Sequence, residues 1–144
     1  MTDPMPNYDD SNIFARILRG ELPCTGVWQD EAVLAFMDIT PVTAGHVLVL
    51  PKIPSRNLLD ANPVTLEALI LRVQRIAKGA MIGMGSDGVS IQQFNEEAGG
   101  QSVFHLHFHV LPRWNNVPLK PPGGAAEKTE ILVEQAQKIH RALV

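Results

Sequence analysis

The sequence predicts an α+β fold in which a five-stranded antiparallel sheet packs with one long helix, a short N-terminal helix and a C-terminal helix. Short apolar runs bounded by Gly, Pro, Asn and Asp are typical of strands and turns. One long segment in the middle of the chain has apolar residues at helical spacing, and a second amphipathic segment lies at the C-terminal end of the sequence. A chain of 144 residues is expected to form one domain with its own core.

The N-terminal segment is predicted to contain one short helix. Residues 1–10 are polar and acidic, so we expect a disordered lead-in there. Ser11 is a typical N-cap and Gly20 a typical helix end, and the residues between them carry a short apolar stripe. A helix over residues 11–20 follows.

Three strands are predicted next. Residues 25–38 have the pattern of two strands joined by a turn at residues 29–31, and a third strand runs over residues 45–51. Strands joined by short turns pair as neighbours, so this part of the chain predicts an antiparallel meander.

The long helix has the clearest signals. Asn62 is a typical N-cap, Pro63 suits the first helical position, and apolar residues recur at helical spacing over residues 64–83. Two further strands, over residues 88–95 and 102–113, flank a glycine-rich loop and complete the sheet.

The chain beyond Trp114 is rich in proline and glycine and predicts an irregular arm, followed from Lys128 by an amphipathic helix. The predicted organisation is therefore a lead-in over residues 1–10, a domain over residues 11–114, and a C-terminal arm and helix over residues 115–144.

Composition and charge exclude several classes of function. Twelve Lys and Arg against fifteen Asp and Glu give a net charge of -3, which disfavours nucleic acid as a partner. A lone Cys24 excludes an intramolecular disulfide and a cysteine-based structural zinc site. Since no stretch of 18 apolar residues or leader-like segment is visible, we expect no membrane association and a cytoplasmic location.

The most informative stretch is "HLHFHVLP", residues 105–112, which holds three of the five histidines. Alternate residues of a strand share a face, so His105, His107 and His109 are expected on one face and the apolar residues between them on the other.

Three interpretations of these histidines stay open from the residues alone. The plainest is a half-buried strand whose polar face carries imidazoles in water. A zinc site is the second, but the first and third histidines lie ~13 Å apart along a strand, so at most two could bind one ion. A further ligand would then come from His46 or Asp38.

The third interpretation is nucleophilic catalysis. A neutral imidazole can attack phosphorus through its nitrogen lone pair when its other nitrogen holds a proton against a fixed acceptor. The loop "AGGQS" precedes the histidines, and its small residues allow backbone N–H groups to approach a phosphate. The same Gly-Gly pair alone would indicate only a turn.

The stretches "HLHFHVL", "PVTAGHVLVLPK" and "FNEEAGGQSV" together resemble the signature blocks of the histidine triad (HIT) nucleotide-binding proteins. The resemblance runs from about Asn12 to Trp114 and is greatest to the Hint-like branch of nucleoside phosphoramidases, with dinucleoside polyphosphate hydrolases as neighbours. It implies a HIT-like fold.

The resemblance also implies roles for individual residues. His107 would be the nucleophile that forms a nucleotidyl-histidine, His109 would contact phosphate oxygens or the leaving group, and His105 and His46 would orient the imidazoles. Substrate contacts are implied for Asp38 at the ribose, for Asn95, Gly100, Gln101 and Ser102 at the phosphate, and for Phe14, Ile17, Phe36 and Ile39 around the purine. Asp38 and Asn95 could equally form turns, and the apolar residues could simply be core.

Departures from the family pattern set further expectations. Several bacterial relatives begin with a zinc-binding "CxxC" block, but this chain has "SNIFARI" there, so we expect no metal and no cofactor. "PGH" is "AGH" here, which should leave His46 in place. The tail is longer than in compact Hint proteins, and one interpretation is that it crosses to a partner subunit and shapes the leaving-group side.

Two classes of function therefore remain. The first is a hydrolase that cleaves a P–N or P–O–P bond of a purine nucleotide substrate through a covalent histidine intermediate. The second is a nucleotide-binding regulatory protein, which needs only the pocket and not the complete set of histidines. Because the segment from Val64 to Met81 is apolar on more than one side, we also expect a homodimer.

Overall fold

A computed structural model describes residues 5–143 and confirms the predicted α+β class. The helices and strands are, in chain order, α1 (Ile13–Leu18), β1 (Gly26–Gln29), β2 (Val33–Met37), β3 (Val47–Pro51), α2 (Pro63–Met84), β4 (Gly88–Gln92), β5 (Phe108–Arg113) and α3 (Thr129–Leu143).

All strand pairs are antiparallel, and the strand order is β1-β2-β3-β5-β4. The first three strands form the predicted meander. Because α2 carries the chain past β3 and β4 returns at the outside, β5 is inserted between β3 and β4. β5 therefore lies inside the sheet, while β1 and β4 are its edges.

One face of the sheet is covered by α2 and α3, which pack against each other and against the strands. Their buried stripes meet the apolar side chains of β2, β3 and β5 that point to this face, and this cluster forms the main core. The stripe predicted for the C-terminal helix is confirmed, since Leu132, Ala136 and Ile139 are all buried. Burial of such side chains contributes roughly 1.5–3 kcal/mol each.

The opposite face carries α1 and a second, smaller apolar cluster. Its members are Phe14, Leu34, Phe36, Leu48 and Leu50. His109 is the register partner of Leu48, so it belongs to this face. Since both faces are covered, β2 and β3 are buried along their whole length.

The start signals of the long helix act as the sequence predicts. The Asn62 side chain accepts a hydrogen bond from the Val64 N–H, Pro63 begins the helix, and Gly85 ends it with a positive φ of 63°. In α1 the predicted N-cap is wrong. Asn12 caps the helix by accepting from the Ala15 N–H, and the Ser11 hydroxyl is bound to Asp9 instead.

The strand predicted over residues 102–113 is also too long. β5 begins at Phe108, because residues 102–107 face the loop after β3 rather than another strand, and the Leu106 N–H donates to the Ser55 carbonyl at 2.8 Å. The alternation still holds in part. Leu106 and Val110 lie in the main core, whereas His107 and His109 point to the other face.

Residues 1–4 of the predicted lead-in lie outside the described residues, and residues 5–10 form no helix or strand. The division of the chain at residues 10 and 114 stays a prediction. Within residues 5–143, every helix is too short or too polar to cross a membrane. The cytoplasmic location stays a prediction too.

Candidate active site

His107 lies at the centre of the histidine cluster, just before β5. Its Nδ1 donates a hydrogen bond of 2.6 Å to the backbone carbonyl of His105. A carbonyl can only accept, so Nδ1 carries the proton and Nε2 keeps its lone pair. The ring packs edge-on against Phe14, with ring centroids 4.8 Å apart, and lies 5.0 Å from the ring of His109.

In contrast to His107, His109 carries its proton on Nε2, because a series of hydrogen bonds occupies its Nδ1. The Val42 N–H donates to Nδ1 of His46 at 3.1 Å, so Nε2 of His46 carries the proton. That nitrogen lies 2.9 Å from Nδ1 of His109 and donates to it. Nε2 of His109 therefore carries an N–H group.

The turn before β3 places His46. Gly45 has a φ of 79°, and a Cβ there would lie 2.6 Å from the Cγ of Met84, so both the conformation and the space favour glycine. The Gly45 N–H donates to the Gln135 side chain of α3. As expected, replacing the preceding proline of the family pattern with Ala44 leaves His46 inside, with 2% of its surface exposed.

His105 has no exposed surface and contacts a residue that sequence reasoning missed. Its Nε2 donates to the Pro51 carbonyl at 2.8 Å, and its Nδ1 lies 2.7 Å from the hydroxyl of Tyr8. Tyr8 precedes His105 by 97 positions, and no local pattern signals so distant a contact.

All four histidines of the cluster are held neutral. Burial lowers the pKa of His105, of His107 and of His109 to about 4 in each case, and it lowers the pKa of His46 as well. Burial has this effect because a charged imidazolium loses its hydration. A neutral His107 is the form that can act as a nucleophile.

A cavity of about 490 Å³ opens beside His107 and His109. This volume lies within the range of small-molecule sites. Its lining comprises Asp38, Thr40, Val42, His46, Gln92, Phe94, Gly100, Ser102, His107, His109, Leu119, Lys120, Pro122 and Gly123.

Asp38 lines this cavity, and its side chain also stabilises a turn, which was the alternative to ribose binding in the sequence. One carboxylate oxygen, Oδ1, accepts from the Thr40 N–H at 2.9 Å and from the Thr40 hydroxyl at 3.2 Å. The other, Oδ2, lies 3.4 Å from Nε2 of His46. Half of the carboxylate thus supports the backbone, and half faces the histidines.

The side chains of Arg56 and Asn57 hold the glycine-rich loop on the side away from the cavity lining. Asn57 donates to the side chains of Glu96 and Gln101. Arg56 forms a two-point ion pair with Glu96, at 2.8 and 2.9 Å, and Glu96 has the positive φ of 63° that non-glycine residues rarely adopt. The buried amide of Gln101 donates to the Arg56 carbonyl and accepts from the Glu96 N–H. These contacts hold Gly100 at the cavity wall.

Some of the predicted substrate contacts lie away from the cavity lining. The Asn95 side chain accepts from the Leu58 N–H and bonds with Gln93, and the Gln101 side chain is used in the loop. Phe14 and Phe36 are buried against each other in the smaller cluster, with Ile17 beside them. Ile39 is 62% exposed.

The C-terminal arm lies against its own chain. The Lys120 N–H donates to the Val42 carbonyl at 2.8 Å, and the Glu127 N–H donates to the Ile39 carbonyl at 2.9 Å. Four arm residues between Leu119 and Gly123 line the histidine cavity. The arm therefore forms part of the cavity wall of its own chain, and its contact with a partner subunit stays a prediction.

Within residues 5–143, one group of side chains has spacing suitable for a cation. Ligand atoms of Asp38, His46 and His109 lie within 4.8 Å of one another. The two histidine nitrogens already share a hydrogen bond, so a cation there would have to displace it.

Comparisons with known proteins identify the family of this chain. A family model described as the HIT domain matches residues 19–116. An uncharacterized HIT-like protein of Borreliella burgdorferi is 41% identical over 107 residues, covering 72% of this chain and 76% of that protein. The adenylylsulfatase HINT3 of Arabidopsis thaliana is 34% identical, covering 70% of this chain and 51% of that protein.

Among solved structures, a Hit-like protein from Bartonella henselae superposes with a TM-score of 0.91 at 49% sequence identity. The match covers 94% of this chain and 98% of that one. The family match ends at residue 116. A likeness over 94% of this chain therefore extends into the arm and C-terminal helix that follow it.

Proposed function

Because the chain belongs to the HIT domain family, we propose that it is a hydrolase of purine nucleoside phosphoramidates, or of related nucleoside monophosphoryl substrates, acting through a nucleotidyl-histidine. One observation carries the proposal. The hydrogen bond from Nδ1 of His107 to the His105 carbonyl leaves the Nε2 lone pair of a neutral imidazole available beside the cavity.

The first step is attack on the α-phosphorus. Nε2 of His107 forms a bond to phosphorus as the P–N bond of the substrate breaks, and the positive charge left on the imidazole is stabilised through Nδ1–H and the His105 carbonyl. The amine leaves with a proton from Nε2 of His109. His109 then receives a proton from the attacking water, which releases the nucleoside monophosphate and frees His107.

The phosphate of the substrate itself prepares His109 for this role. Burial holds the pKa of His109 at about 4, and His46 acts in the same direction. An anionic phosphate close to the ring favours the imidazolium and raises that pKa toward the working pH. The added proton binds Nδ1, so the hydrogen bond from His46 is released when His109 becomes charged. His109 thus becomes a stronger proton donor toward the leaving group only when substrate is bound.

Substrate binding is proposed to follow the family roles. Asp38 would bind the ribose hydroxyls, and Ser102 with the backbone at Gly100 and Gln101 would bind the phosphate. Asn95 would act at the loop that binds the phosphate. The purine would lie against the surface near Phe14, Ile17, Phe36 and Ile39, of which Ile39 is the most exposed.

Steady-state rates on a panel of substrates test the proposal. The panel contains an adenosine phosphoramidate, a diadenosine polyphosphate, a nucleoside diphosphate sugar and adenylyl sulfate, the last because one relative is an adenylylsulfatase. We expect the highest kcat/KM with the phosphoramidate. Tight nucleotide binding without turnover of any of the four would instead support a regulatory nucleotide-binding protein.

The role of Asp38 gives a prediction about the ribose. Asp38→Asn keeps an oxygen that can accept from Thr40 but replaces the other carboxylate oxygen with an NH2 group that cannot accept from a ribose hydroxyl, so KM for a ribonucleotide substrate should rise about tenfold. The matched 2′,3′-dideoxy substrate is the control, and its KM should not change. An equal loss on both substrates would assign Asp38 to the turn alone.

We further propose that the protein is a homodimer formed through α2 and β4. β4 is an edge strand, and a groove between it and α2 is lined by apolar residues that include Ile70, Leu71 and Ile91. These three side chains are more than 40% exposed in the single chain. An open strand edge beside an apolar groove favours a second copy of the chain.

Light scattering at micromolar concentration checks the dimer. Wild type should have twice the monomer mass, and Leu71→Glu should shift it to monomer because a carboxylate cannot be buried unpaired. Leu59→Glu is the matched control, since Leu59 is 68% exposed, close to the 64% of Leu71, but lies outside the groove. A monomeric wild type would contradict the proposal.

A further inference from the structure

Tyr8 joins the segment before α1 to the histidine cluster. Its hydroxyl lies 2.7 Å from Nδ1 of His105 and 3.1 Å from Nδ2 of Asn12. The Tyr8 and His105 rings are 5.6 Å apart in an edge arrangement. Asn12 is also the N-cap of α1, so the same side chain fixes the helix and the tyrosine.

The series of hydrogen bonds from Pro51 through His105 and Tyr8 to Asn12 has a defined direction. The groups at its two ends, a carbonyl and an amide NH2, determine that direction. The Pro51 carbonyl can only accept, so Nε2 of His105 donates to it and Nδ1 of His105 must accept. The Tyr8 hydroxyl therefore donates to Nδ1. The same oxygen accepts from the amide N–H of Asn12, which can only donate.

Few other contacts fix the backbone at His105. Residues 102–107 belong to no strand, so no ladder of hydrogen bonds holds them. The Leu106 N–H is bound to the Ser55 carbonyl, and the Leu106 side chain is anchored in the core. On the N-terminal side, the Val103 carbonyl accepts from Gln101 and the Arg56 guanidinium lies over the Phe104 ring. At His105 itself, the ring is anchored by two hydrogen bonds, one to Pro51 and one to Tyr8.

We propose that Tyr8 is a positioning residue for the reaction: by donating to Nδ1 of His105 it keeps the His105 carbonyl where it accepts from Nδ1 of His107. The lone pair on Nε2 of His107 then stays directed at the cavity. Tyr8 touches neither substrate nor the reacting atoms in this arrangement. The inference rests on the proposed function only in taking His107 as the nucleophile.

Tyr8→Phe removes the hydroxyl and leaves the ring, so it tests the hydrogen bond alone. We expect kcat for the phosphoramidate to fall about tenfold with little change in KM, because the orientation of His107 matters in the chemical step and not in binding. Ser11→Ala is the matched control. It removes a hydroxyl hydrogen bond, to Asp9, from the same segment and should leave both constants unchanged.

The pH profile gives a readout that a packing role would not change. The titratable groups facing His105 are Tyr8 and His107, and β3 presents the Pro51 carbonyl. Burial holds the pKa of His105 at about 4 in the wild type, and protonating Nδ1 there would also break the bond from Tyr8.

In Tyr8→Phe that nitrogen is free to take a proton, so the pKa of His105 rises. Activity is lost as the pH falls through this pKa, and the acid limb of kcat should move up by about one unit.

Nitrogen-15 NMR of the histidine side chains tests the positioning without any substrate. The wild type should show His107 as a single tautomer with the proton on Nδ1, and Tyr8→Phe should show exchange between tautomers. Ser11→Ala should match the wild type. This measurement stays decisive if no member of the substrate panel is turned over, so a wrong reaction and a wrong role for Tyr8 give different results.

Each outcome is decisive. Altered tautomers together with a lower kcat and a shifted acid limb support the positioning role. An unchanged His107 tautomer in Tyr8→Phe overturns it, whatever happens to the rate. Altered tautomers with unchanged kcat and pH profile overturn it as well, because Tyr8 would then order His105 without consequence for the reaction.

Discussion

Replacing His107 with alanine is expected to lower turnover by about 10⁴-fold or more, since the substitution removes the atom proposed to bond to phosphorus. The variant should still bind nucleotide, because the other residues lining the cavity are unchanged. Rates and nucleotide affinity are measured side by side, and thermal unfolding shows whether losing a ring that is 8% exposed has cost the fold.

His140→Ala is the matched control for this experiment. His140 is the remaining histidine of the chain and lies on α3, where its Nδ1 donates to the Val27 carbonyl at 2.8 Å. It takes no part in the cluster, so its replacement should leave turnover intact. A similar loss in both variants would indicate damage to the fold.

Trapping the intermediate identifies the nucleophile directly. Acid-sensitive, base-stable label should appear on the wild-type protein after mixing with labelled adenosine phosphoramidate and rapid denaturation under basic conditions, as expected of a phosphorus–nitrogen bond. His107→Ala should give no label. Label mapped to any other residue, or wild-type turnover by His107→Ala, would falsify the assignment.

His109→Ala should have the next largest effect, and its size should depend on the leaving group. For substrates with amines that need a proton to depart, we expect a loss of about 10²–10⁴-fold in kcat, the usual contribution of general acid catalysis. For leaving groups that depart as stable anions, the loss should be small. His109 lines the cavity, and as the imidazolium formed next to the substrate phosphate it can donate its Nε2 proton and end as a neutral ring.

A series of phosphoramidates with amines of increasing basicity measures this dependence. Plotted against leaving-group pKa, log kcat should fall more steeply for His109→Ala than for the wild type. Parallel lines would mean that His109 does not protonate the leaving group and contributes only through phosphate contacts. The same series with His140→Ala should reproduce the wild-type line.

The parts of the fold that the sequence predicts well are those with local signals. Asn62 and Pro63 determine the start of α2 through their own side-chain and backbone preferences. The choice between Ser11 and Asn12 as the cap of α1 is different. Both are good N-caps, and the structure uses Asn12, whose amide also reaches Tyr8.

The strand predicted over residues 102–113 is longer than β5 for a related reason. Alternation of polar and apolar residues reports which side chains are buried, and it does not report whether a backbone pairs with another strand. Residues 102–107 alternate because Leu106 enters the core while His105 and His107 face other segments. Their partners are a loop and the start of the chain, which periodicity cannot reveal.

The candidate site also has residues with local sequence signals and residues that only tertiary contacts bring to it. The histidines stand out from spacing and family resemblance, and the structure brings His46, His107 and His109 around one cavity with Asp38. The Tyr8 contact and the arm that closes the cavity depend on tertiary approach between positions far apart in the chain. No sequence window contains both partners.

The arm has a consequence for how such a protein can evolve. It is attached to the rest of the chain by backbone hydrogen bonds at Lys120 and Glu127, which almost any residue except proline can supply. The family match ends at residue 116, before the arm reaches the cavity. Mutations between Leu119 and Gly123 can therefore remodel one wall of the cavity without touching a histidine. The histidine cluster and this wall of the cavity are encoded in separate stretches of the gene, so selection can diversify one while conserving the other.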